Sequence, residues 1–342
     1  MTRLPAIGTV HRIMAIHSTV PLRVGLIGVG RHGSRYIRHI LHDLPELNLT
    51  AICRRDPTRK IEPDVSDSIA RYADYRELVT APGIDAVIVV LPPSLNREVC
   101  IAAIQAKKPV LIEKPLATTA ADADAIVRAA TDANIQVMTA QTLRFNSAIV
   151  SLKQSIPEVG ARCYVSLTSR MEPNPVPQHT SAFAGRGVLL EIGIHLLDLV
   201  RFLTEEEIVE VRCQMDSVPP SEPEARVFAW LRMGDDSCAA LDISRVSSGR
   251  VGRVEWIGER GQLEADWQAH RLSCVSAIMP PRAWTVDPCP TIVSTLSSFA
   301  RMVREGSRAP ISGLDGQRAV EIAEACYQSA QENGGRVMVR HR

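Results

Sequence analysis

The chain has 342 residues, 45% of them hydrophobic and 23% charged, with a formal net charge of +1 at pH 7. That length carries two ordinary domains, or one large one, with a core that needs no disulfide or metal staple. So small a net charge supplies no long-range field for nucleic acid or an acidic membrane surface, and the expected partner is a small molecule.

Residues 1–20 read as an extension before the first strand, with Met14 as an alternative start of translation. Arg3, His11, Arg12 and His17 interrupt its apolar stretches, so no signal-peptide core forms. No later run approaches the length of a membrane span. The eight cysteines are scattered without a Cys-x-x-Cys pair, which fits reduced thiols in a cytoplasmic protein better than a disulfide frame or a zinc site.

Leu22 to Ile27 is an aliphatic run that ends in a glycine turn, Gly28-Val29-Gly30-Arg31-His32-Gly33, followed by a helical stretch to about Leu44 and a second run, Leu47 to Ile52. Strand, turn, helix and strand in this order are the context in which Gly-x-Gly-x-x-Gly signals a dinucleotide site. The first glycine allows the tight bend, the second lets the backbone approach a pyrophosphate, and the third lets helix and strand pack closely. Cofactor choice falls at the end of the second strand, in Arg54-Arg55-Asp56. An arginine pair suits the 2′-phosphate of NADP, which is therefore favoured over NAD. The alternative is two solvated arginines, with Asp56 reaching the ribose.

Further aliphatic runs at Ala86 to Leu91, Val110 to Ile112 and Ile135 to Met138 alternate with helical patterns at Arg97 to Ala106 and Ala120 to Ala133. The alternation predicts a doubly wound parallel sheet with the motif-bearing loops along one edge. Pro57 and Pro63 make the crossover between the second and third strands look short. Lys114 lies just past the strand at Val110 to Ile112, where an ammonium can hydrogen-bond a substrate oxygen beside a nicotinamide. A solvated lysine at a strand end is the alternative.

The texture changes between Ala140 and Val150. Longer runs follow, such as Cys163 to Thr168, Arg226 to Met233 and Ser237 to Val246, which read as strands of an open, partly exposed sheet. All four tryptophans lie in this part. The division is therefore 21–143 for the cofactor domain and 144–342 for a substrate and association domain, closed by a helix from about Gly316 to Asn333. Glu191, His195 and Asp198 stand at i, i+4 and i+7 of an apolar helix and so share a face. Burying three ionisable groups there is costly unless they pair or line a cleft. Mutual satisfaction at a domain junction and a metal site are the alternatives; the metal reading lacks a second histidine, and no metal is expected.

Taken together, the glycine turn, Pro92-Pro93-Ser94, Glu113-Lys114-Pro115-Leu116, Arg144-Phe145-Asn146 and the Glu191 to Asp198 helix resemble the Gfo/Idh/MocA family of oxidoreductases. The resemblance runs from Leu22 to about Val339. It implies an α/β protein with an N-terminal Rossmann domain, a C-terminal α/β domain with a large open, mostly antiparallel sheet, and homo-oligomers formed through that sheet. It implies Lys114 as catalytic lysine, His195 as general acid or base, and Asp198 at a substrate-holding position. Glu191 stands where the family usually carries aspartate, Asn96 replaces a common histidine, and Arg186 interrupts a run that is often all glycine. The expected catalytic set is Lys114, His195, Glu191 and Asp198. The expected cofactor set is Gly28, Gly30, Arg31, His32, Gly33, Arg54, Arg55, Pro92, Glu113 and Arg144.

The implied reaction is hydride transfer between NADP and a secondary hydroxyl of a sugar, inositol or related polyol, with Glu191 tuning the charge of His195. Met171 to Pro177, with His179 beyond, reads as a loop over the pocket, and Arg170 and Arg186 hint at an acidic or phosphorylated substrate. Two rivals share the fold: a sensor that binds NADP without turnover, and a glycoside-cleaving enzyme that recycles a bound nicotinamide.

Overall fold

A computed structural model of the chain describes residues 20–56, 58–173, 183–217 and 223–341. The residues read as an N-terminal extension lie outside these except for Val20, as do most of the loop read over the pocket and His179.

The first unit runs β1 (Leu22–Ile27), α1 (Arg31–His42), β2 (Leu47–Cys53), β3 (Ala70–Tyr72), α2 (Tyr75–Thr80), β4 (Ala86–Val89), α3 (Asn96–Gln105), β5 (Val110–Glu113), α4 (Ala120–Ala133) and β6 (Val137–Ala140). Its six strands are all parallel, in the order β3-β2-β1-β4-β5-β6. The strand order reverses between β1 and β4, and the crevice there faces the glycine turn, the place where open α/β sheets bind ligands. All four residues of β4 are buried, and they divide by parity. Ala86 and Ile88 join the core under α1, while Val87 and Val89 join the one under α3 and α4. That division is why the strands read as unbroken apolar runs.

After α5 (Ser147–Ser155) the chain builds a second sheet from β7 (Arg162–Arg170), then α6 (Ile194–Thr204), β8 (Ile208–Ser217), β9 (Glu224–Met233), β10 (Cys238–Ser244), β11 (Val251–Gly258), β12 (Gly261–Asp266), β13 (Arg271–Ser276) and β14 (Arg282–Thr285). The helices α7 (Thr291–Glu305) and α8 (Gly313–Gln331) and a short β15 (Val337–Met338) follow. The order is β14-β13-β12-β11-β7-β10-β9-β8-β15, antiparallel throughout except for the β7–β10 pair.

Two differences from the sequence reading have plain causes. The link between β2 and β4 holds a three-residue strand and a six-residue helix; both are too short for periodicity to register, and the flanking prolines suggested an irregular crossover. α7 returns to the first unit, where Leu296 and Phe299 are packed in one core with Leu26 and Tyr36. α8 packs on both units. A Cβ at Gly316 would lie 2.5 Å from Thr139 Oγ1 of β6, and Ser329 at the far end donates to the Gly335 carbonyl and accepts from the Cys213 amide of β8.

Candidate active site

β1 delivers the chain to Gly28, whose φ of +101° disfavours a side chain and whose Cβ, if present, would lie 2.1 Å from the Val90 carbonyl oxygen. Gly33 is pressed against the Gly28 carbonyl in the same way, at 2.0 Å. Gly30 differs: a Cβ there meets nothing within 4 Å. It is the N-cap of α1 and makes no side-chain cap, so the first amides of that helix face open space. Orphan amides with a positive dipole end behind an open glycine fit the pyrophosphate of a dinucleotide. Arg31 and His32 follow on the first turn and line the cleft beyond.

At the end of β2, Asp56 is occupied locally, its Oδ1 accepting from the Thr58 amide at 3.1 Å and the Thr58 hydroxyl at 2.6 Å. These bonds hold its carboxyl below the usual range. Arg54 reaches the Arg59 carbonyl at 3.4 Å, and Arg55 is exposed. Pro92 precedes a single 3-10 turn, Pro93–Leu95, that starts α3.

β5 ends in Glu113, only 7% exposed, and three donors converge on it. His32 Nε2 and the Tyr36 hydroxyl each lie 2.6 Å from Oε1, and the Lys114 amide donates to Oε2 at 3.0 Å. Burial pushes this carboxyl up, but His32, Lys114 and Tyr36 together outweigh it and hold Glu113 below its ordinary value. Glu113 thus fastens α1 to β5. Tyr36 was not singled out from the sequence; the i, i+4 pairing of His32 and Tyr36 on one side of α1 is the signal that could have found it.

Lys114 follows, with a cis bond to Pro115, and its Nζ donates to the Glu191 carbonyl at 2.7 Å. Burial lowers its pKa, and Arg245 acts in the same direction against Glu113 and Glu191. The Glu191 carbonyl is there because Leu189–Gly193 is a π turn rather than α-helix, so the regular α register starts only at Ile194. Both oxygens of Glu191 are taken by one guanidinium, Arg245 Nε at 2.8 Å and Nη2 at 2.6 Å. His195 lines the cleft with its Nδ1 buried and without a hydrogen-bond partner among the described residues. Burial first, then Lys114 and His32, lowers its pKa well below 6.5.

Asp198 and Arg144 are brought together elsewhere. Asp198 is 1% exposed, does not line the cleft, and accepts from Arg144 Nε at 2.7 Å and Nη2 at 2.6 Å. Asp315 at the start of α8 joins them, 3.1 Å from Arg144 Nη2 and 3.2 Å from Arg201 Nη1. Burial opposes the charge on Arg144, yet the two carboxylates raise its pKa above the ordinary value. This buried network ties the end of β6 to α6 and α8. Asp198, expected to hold substrate, and Arg144, expected to bind cofactor, are thereby paired with each other, and neither lines the cleft.

The cleft encloses about 950 Å³ between the two sheets. Arg31, His32, Arg35 and Lys114 line it from the first unit, and Ser169, Glu172, Glu191, His195, Arg245, Arg250 and Trp267 from the second. Of the acidic-substrate candidates, Arg170 is paired with Asp242 and Arg186 donates to the Thr118 carbonyl at 2.6 Å. Arg245 and Trp267 were missed in the sequence because Arg245 lies inside the strand-like run Ser237 to Val246, Trp267 directly follows β12, and neither carries a motif. Among the described residues no group of three or more His, Cys, Asp or Glu side chains is gathered in a way that could hold a metal ion. Nor is any helix among them long and apolar enough to cross a membrane.

Residues 22–141 match an oxidoreductase family with an NAD-binding Rossmann fold, and residues 158–264 match the C-terminal domain of the same Gfo/Idh/MocA family. The chain belongs to the Gfo/Idh/MocA family. It is an oxidoreductase of a family that includes NAD-dependent sugar and polyol dehydrogenases. Among curated Gfo/Idh/MocA proteins, a myo-inositol 2-dehydrogenase of Thermotoga maritima is 26% identical, covering 91% of this chain and 97% of its own. A D-apiose dehydrogenase of Paraburkholderia graminis is also 26% identical, over 90% and 87% of the two chains. A solved levoglucosan dehydrogenase in complex with NADH and levoglucosan superposes with a TM-score of 0.84 at 22% identity, covering 94% of this chain and all (100%) of that one, a likeness of fold. Within the Gfo/Idh/MocA fold, the glycine turn, Lys114 and His195 come together around one cleft.

Proposed function

We propose that this chain is an NADP-preferring dehydrogenase that oxidises a secondary hydroxyl of a sugar, inositol or related polyol, and reduces the corresponding ketone in reverse. The observation that carries the reading is a half-buried lysine and a half-buried histidine facing one cleft beside an open dinucleotide turn, each with its pKa lowered by desolvation. The names of the inositol and apiose dehydrogenases support the substrate class. NADP is favoured because Asp56 is occupied by Thr58, whereas Arg55 stands exposed and makes no ion pair among the described residues.

A bound nicotinamide supplies the centre that accepts or returns the hydride. In the oxidative direction the imidazole of His195, neutral at pH 7, receives the hydroxyl proton; with Nδ1 buried, Nε2 is the nitrogen that substrate reaches. Lys114 donates a hydrogen bond to the same oxygen and stabilises the charge that develops as the hydride leaves carbon. The Gly28 to Gly33 loop and the first turn of α1 hold the pyrophosphate, and Glu113 fixes that turn through His32 and Tyr36.

We further assign residues 21–143 to cofactor binding and 144–342 to substrate binding and self-association through the open face of the second sheet. The cytoplasm is the proposed compartment, a reading supported by eight free cysteines. The test is nicotinamide absorbance on incubation of wild type and Lys114→Ala with NADP or NAD and a panel of sugars, inositols and sugar acids. The expected result is reduced cofactor with wild type, faster with NADP, and turnover down by about 10²–10⁴-fold in Lys114→Ala with cofactor affinity kept. Equal turnover in the variant removes Lys114 from the mechanism. Cofactor retained through purification, with substrate cleaved and no net reduction, identifies the recycling hydrolase instead.

A further inference from the structure

Arg245 lines the cleft but takes no part in the proton and hydride transfer. It follows β10, its backbone amide held by the Ala225 carbonyl at 2.9 Å, and its side chain is 16% exposed. Three of its nitrogens are committed: Nε and Nη2 to the two oxygens of Glu191, and Nη1 to the Glu172 carbonyl at 3.2 Å. A two-point fork of this kind fixes the plane of the carboxylate as well as its distance. The residue so fixed is the one whose carbonyl receives the Lys114 ammonium at 2.7 Å, and it sits in a π turn, a rare backbone form.

We propose that Arg245 is a positioning residue of this oxidoreductase: by gripping Glu191 it holds the π turn that receives Lys114 and balances the charge beside that lysine. The inference rests on the dehydrogenase reading for its consequence in turnover, but not for its test. The Glu191 side chain is long enough to reach Arg245 while its backbone carbonyl stays against Lys114.

The charges facing Lys114 come from every side of the cleft: Glu113 from β5, Glu191 from the π turn, His195 from α6, Arg245 from beyond β10, and His32 from α1 lining the same space. Within that set, Arg245 and Glu191 act on Lys114 with opposite signs. Loss of either partner therefore has a signed consequence. In Arg245→Met the remaining carboxylate draws the proton more tightly to Lys114, and in Glu191→Gln the remaining guanidinium repels it. A merely structural role predicts no such split, because general loosening admits water and moves both variants the same way.

The chain has only five lysines, so ¹⁵N-lysine NMR resolves each side-chain titration, and Lys114→Ala assigns the signal of interest. The measurement uses the full chain without substrate, so it reads out whether or not turnover on any polyol is found. The expected result is a Lys114 midpoint above wild type in Arg245→Met, below wild type in Glu191→Gln, and between wild type and Arg245→Met in Arg245→Lys, which keeps the charge but not the fork. Wherever a substrate is turned over, the limb of the kcat profile that follows Lys114 moves with these midpoints. Shifts of the same direction in Arg245→Met and Glu191→Gln, or an unmoved midpoint in both, overturn the proposal. Should Arg245→Met fail to fold, Glu191→Gln and Arg245→Lys decide it, and an unmoved Lys114 in Glu191→Gln is then the overturning result.

Discussion

The reactivity of single residues here is set by what surrounds them. Lys114 and His195 are both half-buried on one cleft; burial lowers the proton affinity of each, and the Lys114 charge lowers that of His195 further. For His195 this has a consequence for stability. Its pKa in the folded protein lies well below 6.5, so between 6.5 and the folded value the unfolded chain binds the extra proton. Stability contributed by the neutral imidazole is present above pH 6.5 and is lost as pH falls through that window. Melting temperature should therefore decline as pH falls below about 6.5 in wild type and decline less in His195→Gln, whose amide does not titrate. Identical slopes in thermal melts of the two proteins would remove His195 as the source. The residue types of this dyad were legible in the sequence through their motifs. Their partners were not, since Arg245 meets Glu191 across 54 positions and no local pattern connects them.

At the scale of elements, the glycine turn separates two roles that one motif conceals. Gly28 is required by the fold, through its φ of +101° and the Val90 carbonyl 2.1 Å from a Cβ; Gly30 has space around it and an extended φ of −90°. Gly28→Ala is expected to lose on the order of 1–3 kcal/mol in chemical denaturation. Gly30→Ala should stay within about 1 kcal/mol of wild type in the same experiment. In titration calorimetry it should nevertheless bind dinucleotide about tenfold more weakly or worse, a cost of about 1.4 kcal/mol, because the methyl occupies the approach of the pyrophosphate. Unchanged affinity in Gly30→Ala would place the cofactor elsewhere. The parallel strands β1, β2, β4, β5 and β6 were readable because burial on both faces makes them plain apolar runs. The π turn was not: helical spacing put Glu191 and His195 one turn apart on a common face, and an extra residue in the turn alters that register without any mark in composition. Short β3 escaped for want of length.

The whole molecule is organised by the alternation of the second sheet. Val165, Leu167, Leu231 and Leu241 point inward and are fully or almost fully buried, and Ser169, of the same parity on β7, lines the cleft. Tyr164, Phe228 and Trp230 have the opposite parity and stay 37%, 51% and 36% exposed, beside a shallow hollow of about 410 Å³ on the outer face. Aromatic side chains left in water on a broad sheet are the composition of an interface core rather than of a monomer surface. The proposed self-association through this face has a sharp test in symmetry. In a two-fold interface every residue is present twice, so Phe228→Arg places two unpaired cations in one apolar contact. Light scattering is expected to show a multimer for wild type and a monomer for Phe228→Arg, with far-UV circular dichroism unchanged. Because the cleft opens on the opposite face, dinucleotide affinity measured on that monomer should remain within about twofold of wild type, about 0.4 kcal/mol. An unchanged mass for Phe228→Arg would show that the chains associate elsewhere or not at all. A monomer that has lost its cofactor would show instead that the cleft is completed only in the assembly.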